Sequence, residues 1–193
     1  MRPEAIQIIK DEHFAIAAVM YSLRYLVRQM RDCGEPPNFP LLHAITDYIV
    51  SYPDRWHHPK ENDYLFAAVK MRSQDGNALI AILEQEHTDG KPRIRALKEK
   101  LTSFEKTGES GGFFEEAESY AQTEWEHMRR EEDELMPLAE RVLTPEDWIK
   151  IYEVFKENDN PLYGLKPKED AERLYQRILE LAPAPIGYGP SQK

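Results

Sequence analysis

The sequence predicts an all-α protein: an antiparallel up-down four-helix bundle followed by two extra C-terminal helices. Three observations predict it. Apolar residues recur at three- and four-residue intervals along four long segments. Period-2 runs bounded by turn residues are nearly absent, which removes the strand signal. A small pattern, His13 with His57-x-x-x-Glu61, also recurs as His87 with His127-x-x-x-Glu131. Its internal interval is 44 residues in the first copy and 40 in the second, so the repeat can be tested against the helices.

The first helix spans about Pro3 to Arg31, with Ile6, Ile9, His13, Ile16, Met20 and Leu23 on one stripe. Cys33-Gly34-Glu35-Pro36-Pro37 ends it. A second helix opens near Asn38 and carries Leu42, Ile45, Ile49, His57, Glu61, Leu65 and Ala68 up to the turn at Ser73-Gln74-Asp75-Gly76. The third carries Leu79, Ile80, Leu83, His87, Ile94, Leu97 and Leu101. After the glycine-rich turn at 107–112, the fourth begins at Phe113 and carries Ala117, Tyr120, Glu124, His127, Glu131, Leu135 and Leu138. Pro53 and Pro59 bracket His57, and Pro92 follows His87 by five residues. A proline inside a helix removes a hydrogen bond and kinks the axis. The apolar pattern resumes in register at Tyr64, which predicts a kink or local widening near Pro59 rather than a helix end.

Thr144-Pro145-Glu146-Asp147 is a helix start, with an N-cap, a proline at N1 and acids in the first turn. That helix runs to about Glu157; Asn158-Asp159-Asn160-Pro161 breaks it, and a last one runs from about Pro167 to Leu181. The expected organisation is a bundle over 1–142, a helical appendage packed on it over 143–182, and a flexible Pro- and Gly-rich tail over 183–193.

Short turns make the four long helices antiparallel neighbours. His13 and His57 then lie about 20 residues either side of the first turn, roughly 30 Å along each helix. Glu61 and His87 flank the second turn, and His87 and His127 the third, at comparable distances. His13, His57, Glu61, His87, His127 and Glu131 therefore converge on one level of the bundle. Residues i and i+4 share a helix face, so each histidine and its glutamate point the same way. Four imidazoles and two carboxylates on one level are a metal-ligand set. Iron suits it best, with manganese and zinc as alternatives. A buried carboxylate is costly without a cation, which the metal would supply. Two bridging carboxylates would leave open coordination on a redox-capable pair, suited to a small diatomic molecule such as dioxygen or nitric oxide. His58, one step from His57 and about 100° off the ligand face, is expected exposed or outside the ligand set. His43 is expected at the surface, and Arg129 to Glu134 as a solvated face apart from Glu131. Tyr120 either lines the pocket or fills core.

The chain has 35 acidic and 25 basic residues, a balance of −10 that argues against nucleic acid or an anionic membrane as partner. No apolar run approaches the roughly 20 residues that span a bilayer, and charges interrupt the N-terminal apolar pattern, unlike a secretory signal. The single Cys33 precludes an internal disulfide and fits a reducing, cytoplasmic setting.

The sequence resembles the hemerythrin-like (HHE cation-binding) family over roughly residues 3–142. The resemblance rests on Asp11-Glu12-His13, His57-His58-Pro59-Lys60-Glu61, Glu86-His87 and Glu126-His127-Met128-Arg129-Arg130-Glu131. It implies a non-haem di-iron centre, oxo- or hydroxo-bridged, with bridging carboxylates Glu61 and Glu131 and histidines His13, His57, His87 and His127. Oxygen-carrying members have a fifth histidine one turn beyond the third-helix ligand, where this chain has Lys91. The ligand set thus resembles the four-histidine, two-glutamate branch, which includes proteins of iron-centre repair and nitric oxide handling. Turnover, as an oxidoreductase acting on O2, peroxide or NO, stands beside sensing or storage of iron or oxygen without turnover. A ferritin-like carboxylate protein is the alternative, since Glu84-x-x-His87 and Glu124-x-x-His127 match its Glu-x-x-His motif. A metal-free helical adaptor is a third class.

Overall fold

Hydrogen-bonded helix accounts for nearly all of the backbone in the computed structural model, which describes residues 2–156, 167–184 and 186–189; no strand occurs among them. The first long run is α1 (Arg2–Cys33). The second comprises α2 (Phe39–Ser51), α3 (His58–Lys60) and α4 (Ala67–Arg72), with wider π turns at Pro53–His57 and Glu61–Phe66 between them. The third is α5 (Asn77–Thr107), which stays continuous through Pro92. The fourth joins α6 (Phe113–Arg130) to α7 (Met136–Val142) across a π turn at Glu131–Leu135, and α8 (Pro145–Lys156) and α9 (Pro167–Leu181) follow. α1 packs on α2 and α6, and α5 packs on the same two, which closes the up-down ring.

The ends of these helices follow local chemistry. The Asn38 side chain accepts a hydrogen bond from the Leu41 N–H at 3.1 Å, capping α2. Gly108 and Gly112 bracket the turn before α6 with φ of 75° and 79°, a conformation that costs a residue with a Cβ about 1–2 kcal/mol. Thr144 and Asp147 form a reciprocal capping pair: the Thr144 N–H donates to Asp147 Oδ2 at 2.9 Å and the Asp147 N–H to Thr144 Oγ1 at 3.3 Å. Arg72 then grips Asp147 through two bonds of 2.8 and 3.0 Å, tying α4 to α8.

The core is divided in two. One apolar cluster gathers Ile16, Met20, Leu23, Ile45, Ile49, Ile94, Leu97 and Tyr120. The other gathers Ile9, Leu65, Phe66, Leu83, Leu135, Trp148 and Phe155. Between them lies a belt of buried polar side chains: His13, His57, Glu61, His87, His127 and Glu131, each at most 3% exposed. On every long helix the chain passes from one cluster, through the belt, into the other.

The last two helices contribute to both halves. Trp148, Ile151 and Phe155 of α8 enter the second cluster; Ile178 of α9 enters the first. The expected break at 158–161 lies outside the described residues. In place of a loose tail, residues 186–189 turn back on α9: the Tyr188 N–H donates to Leu179 O at 3.0 Å and the Gly189 N–H to Ala182 O at 2.9 Å. Residues 185 and 190–193 lie outside the described part.

Because Phe155 is fully buried in the same cluster as Leu65 and Leu135, Phe155→Ala is expected to cost about 3–5 kcal/mol. Urea unfolding followed by circular dichroism should show one transition at lower urea. A loss below about 1 kcal/mol would mean that α8 is only loosely attached.

Candidate metal centre

The two π turns of the second run sit where its polar residues enter the core. The first ends at His57 and the second begins at Glu61; a third begins at Glu131. Prolines explain two of them. A proline ring collides with the carbonyl four residues back and offers no N–H. In the π turns the bonds shift to the fifth residue back: His57 N–H to Tyr52 O at 3.2 Å, His58 N–H to Pro53 O, Met136 N–H to Glu131 O. Both Pro59 and Pro137 stand two residues beyond a π turn, at His57 and Leu135. Wide turns of this kind occur mostly at functional sites.

The structure brings all six predicted residues together. Glu61 Oε1 lies 3.3 Å from His13 Nε2 and 3.1 Å from His57 Nε2, while its Oε2 lies 3.6 Å from His87 Nε2. Glu131 Oε2 lies 3.3 Å from His13 Nε2, and its Oε1 3.4 Å from His127 Nε2. Each carboxylate thus offers one oxygen to the pair His13/His57 and the other to the pair His87/His127. His87 and His127 meet Nε2 to Nε2 at 2.8 Å.

The outward nitrogens are held as well. Nδ1 of His57 is bonded to Glu12 at 2.8 Å, that of His127 to Glu86 at 2.8 Å, that of His13 to Glu132 at 2.9 Å, and that of His87 to Asn62 at 2.9 Å. An ionised carboxylate only accepts, so those Nδ1 atoms donate and the Nε2 lone pairs of neutral rings face inward. Outward partners of this kind fix the tautomer and ring orientation of metal-binding histidines. Sequence reasoning missed them. Glu132 was expected on a solvated face, yet it holds His13. The signal was in the repeat itself: Glu12-His13 and Glu86-His87 each place a glutamate before the leading histidine. Each of those glutamates reaches the other histidine of its copy, and each has a cation three residues past that histidine, Lys60 on Glu12 at 3.1 Å and Arg130 on Glu86.

The centre of the belt therefore holds four inward imidazole nitrogens and two carboxylates, a collection of acceptors. His57 Nε2, Glu61 Oε2 and both oxygens of Glu131 are buried with no partner in good hydrogen-bond geometry, His13 and His127 approaching Glu131 only at 3.3 and 3.4 Å. Without a metal, protons fill part of that need. Burial lowers His13, but hydrogen bonds to Glu131, Glu132 and Glu61 prevail and raise its pKa well above the imidazole range. Burial likewise opposes the rise at His127, where the charge of Glu131 and bonds to Glu131 and Glu86 win. His87, whose outward partner is an amide, is pushed down to about 4, chiefly by burial. Burial and the nearby Glu131 raise Glu61, but His57 and His13 outweigh them and bring it to about 2. A cation satisfies all these lone pairs at once. The donors fall into two groups, His13, His57, Glu61 and Glu131, and His87, His127, Glu61 and Glu131, the atoms of each within 4.8 Å of one another. The residues fit a pair of metal ions sharing both carboxylates.

Of the two expectations for His58, exposed or outside the ligand set, burial removes the first. His58 is 4% exposed, not at the surface. Its ring stacks on His87, centroids 4.1 Å apart, and meets His127 edge-on at 5.6 Å. The rings of His57 and His58 both face the interior because packed side chains meet this run on two sides: His57 meets Glu12 and Glu61, and His58 meets His87 and His127. The other bystanders are as expected. His43 bonds Glu105 at 2.8 Å on the surface, and Tyr120 fills core. The ferritin-like alternative is not supported, because Glu84 is at the surface with Lys70 at 2.6 Å rather than at the centre. Glu124 is buried and pushed up to about 7 by that burial. It lines, with His58, His87, Gly90 and His127, a cavity of about 160 Å³ on one flank. A second cavity, of about 350 Å³, opens on the other flank beside His13, Phe14, Trp125 and Met128.

A family model described as hemerythrin HHE cation binding domain matches residues 4–139. No curated protein and no solved structure matches the chain.

Two predictions follow from this geometry. Since metal-binding nitrogens must be free of protons and His13 and His127 hold theirs above the usual range, loading should release protons near pH 7 and tighten as pH rises. Titrating the metal-free protein with cobalt(II) in weak buffer with a pH indicator measures this; loading without proton release would contradict it. Glu132→Ala should weaken metal binding about 10–100-fold, while the neighbouring Glu134→Ala should leave it unchanged.

Proposed function

This chain belongs to the hemerythrin HHE cation-binding family, and on that premise we propose that it is a non-haem di-iron protein that binds or reacts with a small diatomic molecule, dioxygen or nitric oxide. The observation that carries the reading is the pair of donor groups that share Glu61 and Glu131. His13 and His57 would hold one ion, His87 and His127 the other, and the two glutamates would bridge them. Nitrogen and oxygen donors without thiolate favour iron over softer metals, with manganese and zinc less suited. When bound, an iron pair supplies a redox couple and open coordination for a diatomic ligand.

The chain's own residues set the conditions for that chemistry. Glu12, Glu86 and Glu132 fix three imidazoles from outside and add negative charge around the pair, which favours a higher total positive charge at the centre. The apolar clusters above and below exclude water, favouring an uncharged ligand over an ionic one. Among the described residues no helix is long and apolar enough to cross a membrane. The exposed lone Cys33 supports a reducing compartment such as the cytoplasm.

Protein produced with adequate iron is expected to hold two irons per chain by elemental analysis. Glu61→Ala, Glu131→Ala, His57→Ala and His127→Ala should each lower that content, and His43→Ala should not. Rapid mixing of the anaerobic, reduced protein with dioxygen or with nitric oxide should change the optical spectrum within the mixing experiment. Dioxygen released intact on purging would point to storage. No response to either gas would point to a sensor of iron itself.

A further inference from the structure

The two copies of the repeat match further than their ligands. Asp54, His57, Lys60 and Glu61 correspond to Glu124, His127, Arg130 and Glu131, residue for residue. The leading pairs Glu12-His13 and Glu86-His87 correspond as well, down to the hydrogen bond each glutamate makes with the other histidine of its own copy. The match is not complete: Asn62 and Trp56 stand where the second copy has Glu132 and Glu126, and one further difference bears on the rings. His58 in the first copy stands where the second has Met128.

His58 lies against the histidines of the opposite copy. His58 stacks on His87 and meets His127, and a nitrogen of each of the three rings lies within 4.8 Å of the others. Opposite donors on one ion stand about 4.2 Å apart, twice a metal–nitrogen bond of about 2.1 Å, so three rings can share an ion after a small closure. Met128 instead lines the cavity that opens beside His13. His58 also has the kind of outward partner that the other histidines have. Its Nδ1 faces Asp54 Oδ1 at 3.7 Å, and both atoms are buried without a hydrogen-bond partner. A slight turn of the ring onto an ion would bring them together.

We propose that His58 is a fifth histidine donor, bound to the ion that His87 and His127 hold, so that the two ions are unequal. It takes the place of the histidine absent at Lys91, approaching from the second helical run instead of from α5. The ion of His13 and His57 is then one nitrogen short. His13 lines the cavity of about 350 Å³ beside Phe14 and Met128, and an exogenous ligand would bind from that side. This rests on the di-iron reading above and goes beyond it by assigning the open position to one ion.

The test compares the wild-type protein with His58→Met, which makes the two halves alike at this position, and Met128→His, which supplies the missing donor on the other side. Wild-type diferric protein should give two distinct Mössbauer doublets of equal area and bind one azide per iron pair. His58→Met should weaken one of the two steps of anaerobic iron(II) binding about tenfold or more, as expected for loss of a ligand, and bring the doublets together. Met128→His should keep both irons and lose azide binding, so it decides the matter even if His58→Met folds poorly. A wild-type protein with two ions, whose iron binding and spectrum His58→Met leaves unchanged, would overturn the fifth-donor inference alone. Azide binding that survives Met128→His would overturn the assignment of the open position. A wild-type protein that binds no metal would overturn the di-iron reading itself, and this inference with it.

Discussion

Two carboxylates buried side by side are the constraint on which this structure depends. Glu61 and Glu131 are 0% and 1% exposed, and neither could remain ionised in an apolar core without compensation worth several kcal/mol. Four imidazoles surround them, and a ring of carboxylates stands behind three of those imidazoles. The bundle is arranged to permit this: each long helical run interrupts its apolar stripe at one level, so the polar groups find polar partners in one another. The core is split as a result, and the clusters above and below keep water from the belt.

The same constraint explains the backbone. A regular α-helix would present His57 and Glu61 one turn apart on one stripe, but it has no way to accept Pro59 without losing a bond and colliding with a carbonyl. The π turns absorb the proline and widen the helix where side chains must spread around a centre. In the fourth run Pro137 stands at the same distance from its π turn. The π turns at Glu61–Phe66 and Glu131–Leu135 occupy equivalent places in the two copies, whereas that at Pro53–His57 has no counterpart, since 123–127 is regular α6.

The helices beyond the bundle bear on the site indirectly. Phe155 of α8 lies edge-on to His57, centroids 6.4 Å apart, and the Lys60 ammonium sits 4.6 Å over its ring. Lys60 in turn holds Glu12, which holds His57. A change in α8 can therefore reach His57 directly through Phe155 or by way of Lys60 and Glu12. On the opposite half Arg130 plays the part of Lys60, holding Glu86.

Much was legible in the sequence because it depends on position along the chain alone. Rise per residue is nearly constant in a helix, so turn positions and residue counts place His13, His57, Glu61, His87, His127 and Glu131 on one level with no knowledge of packing. The helix starts at Asn38 and Thr144 are equally local, being fixed by side chains that bond to the next turn. Rotation about the helix axis is different. It depends on which carbonyl each N–H chooses, and one shifted bond turns every later side chain. Which rings His58 meets, His87 and His127, is likewise decided only by packing. Partners across helices escape sequence reasoning for a related reason. Glu12 with His57, Glu86 with His127 and Glu132 with His13 are pairs between helices, and only the packed structure decides which solvated-looking carboxylate turns inward. The sequence by itself determined the level of the site and its donors; the tertiary structure decided their orientation, their outward partners and the place of His58.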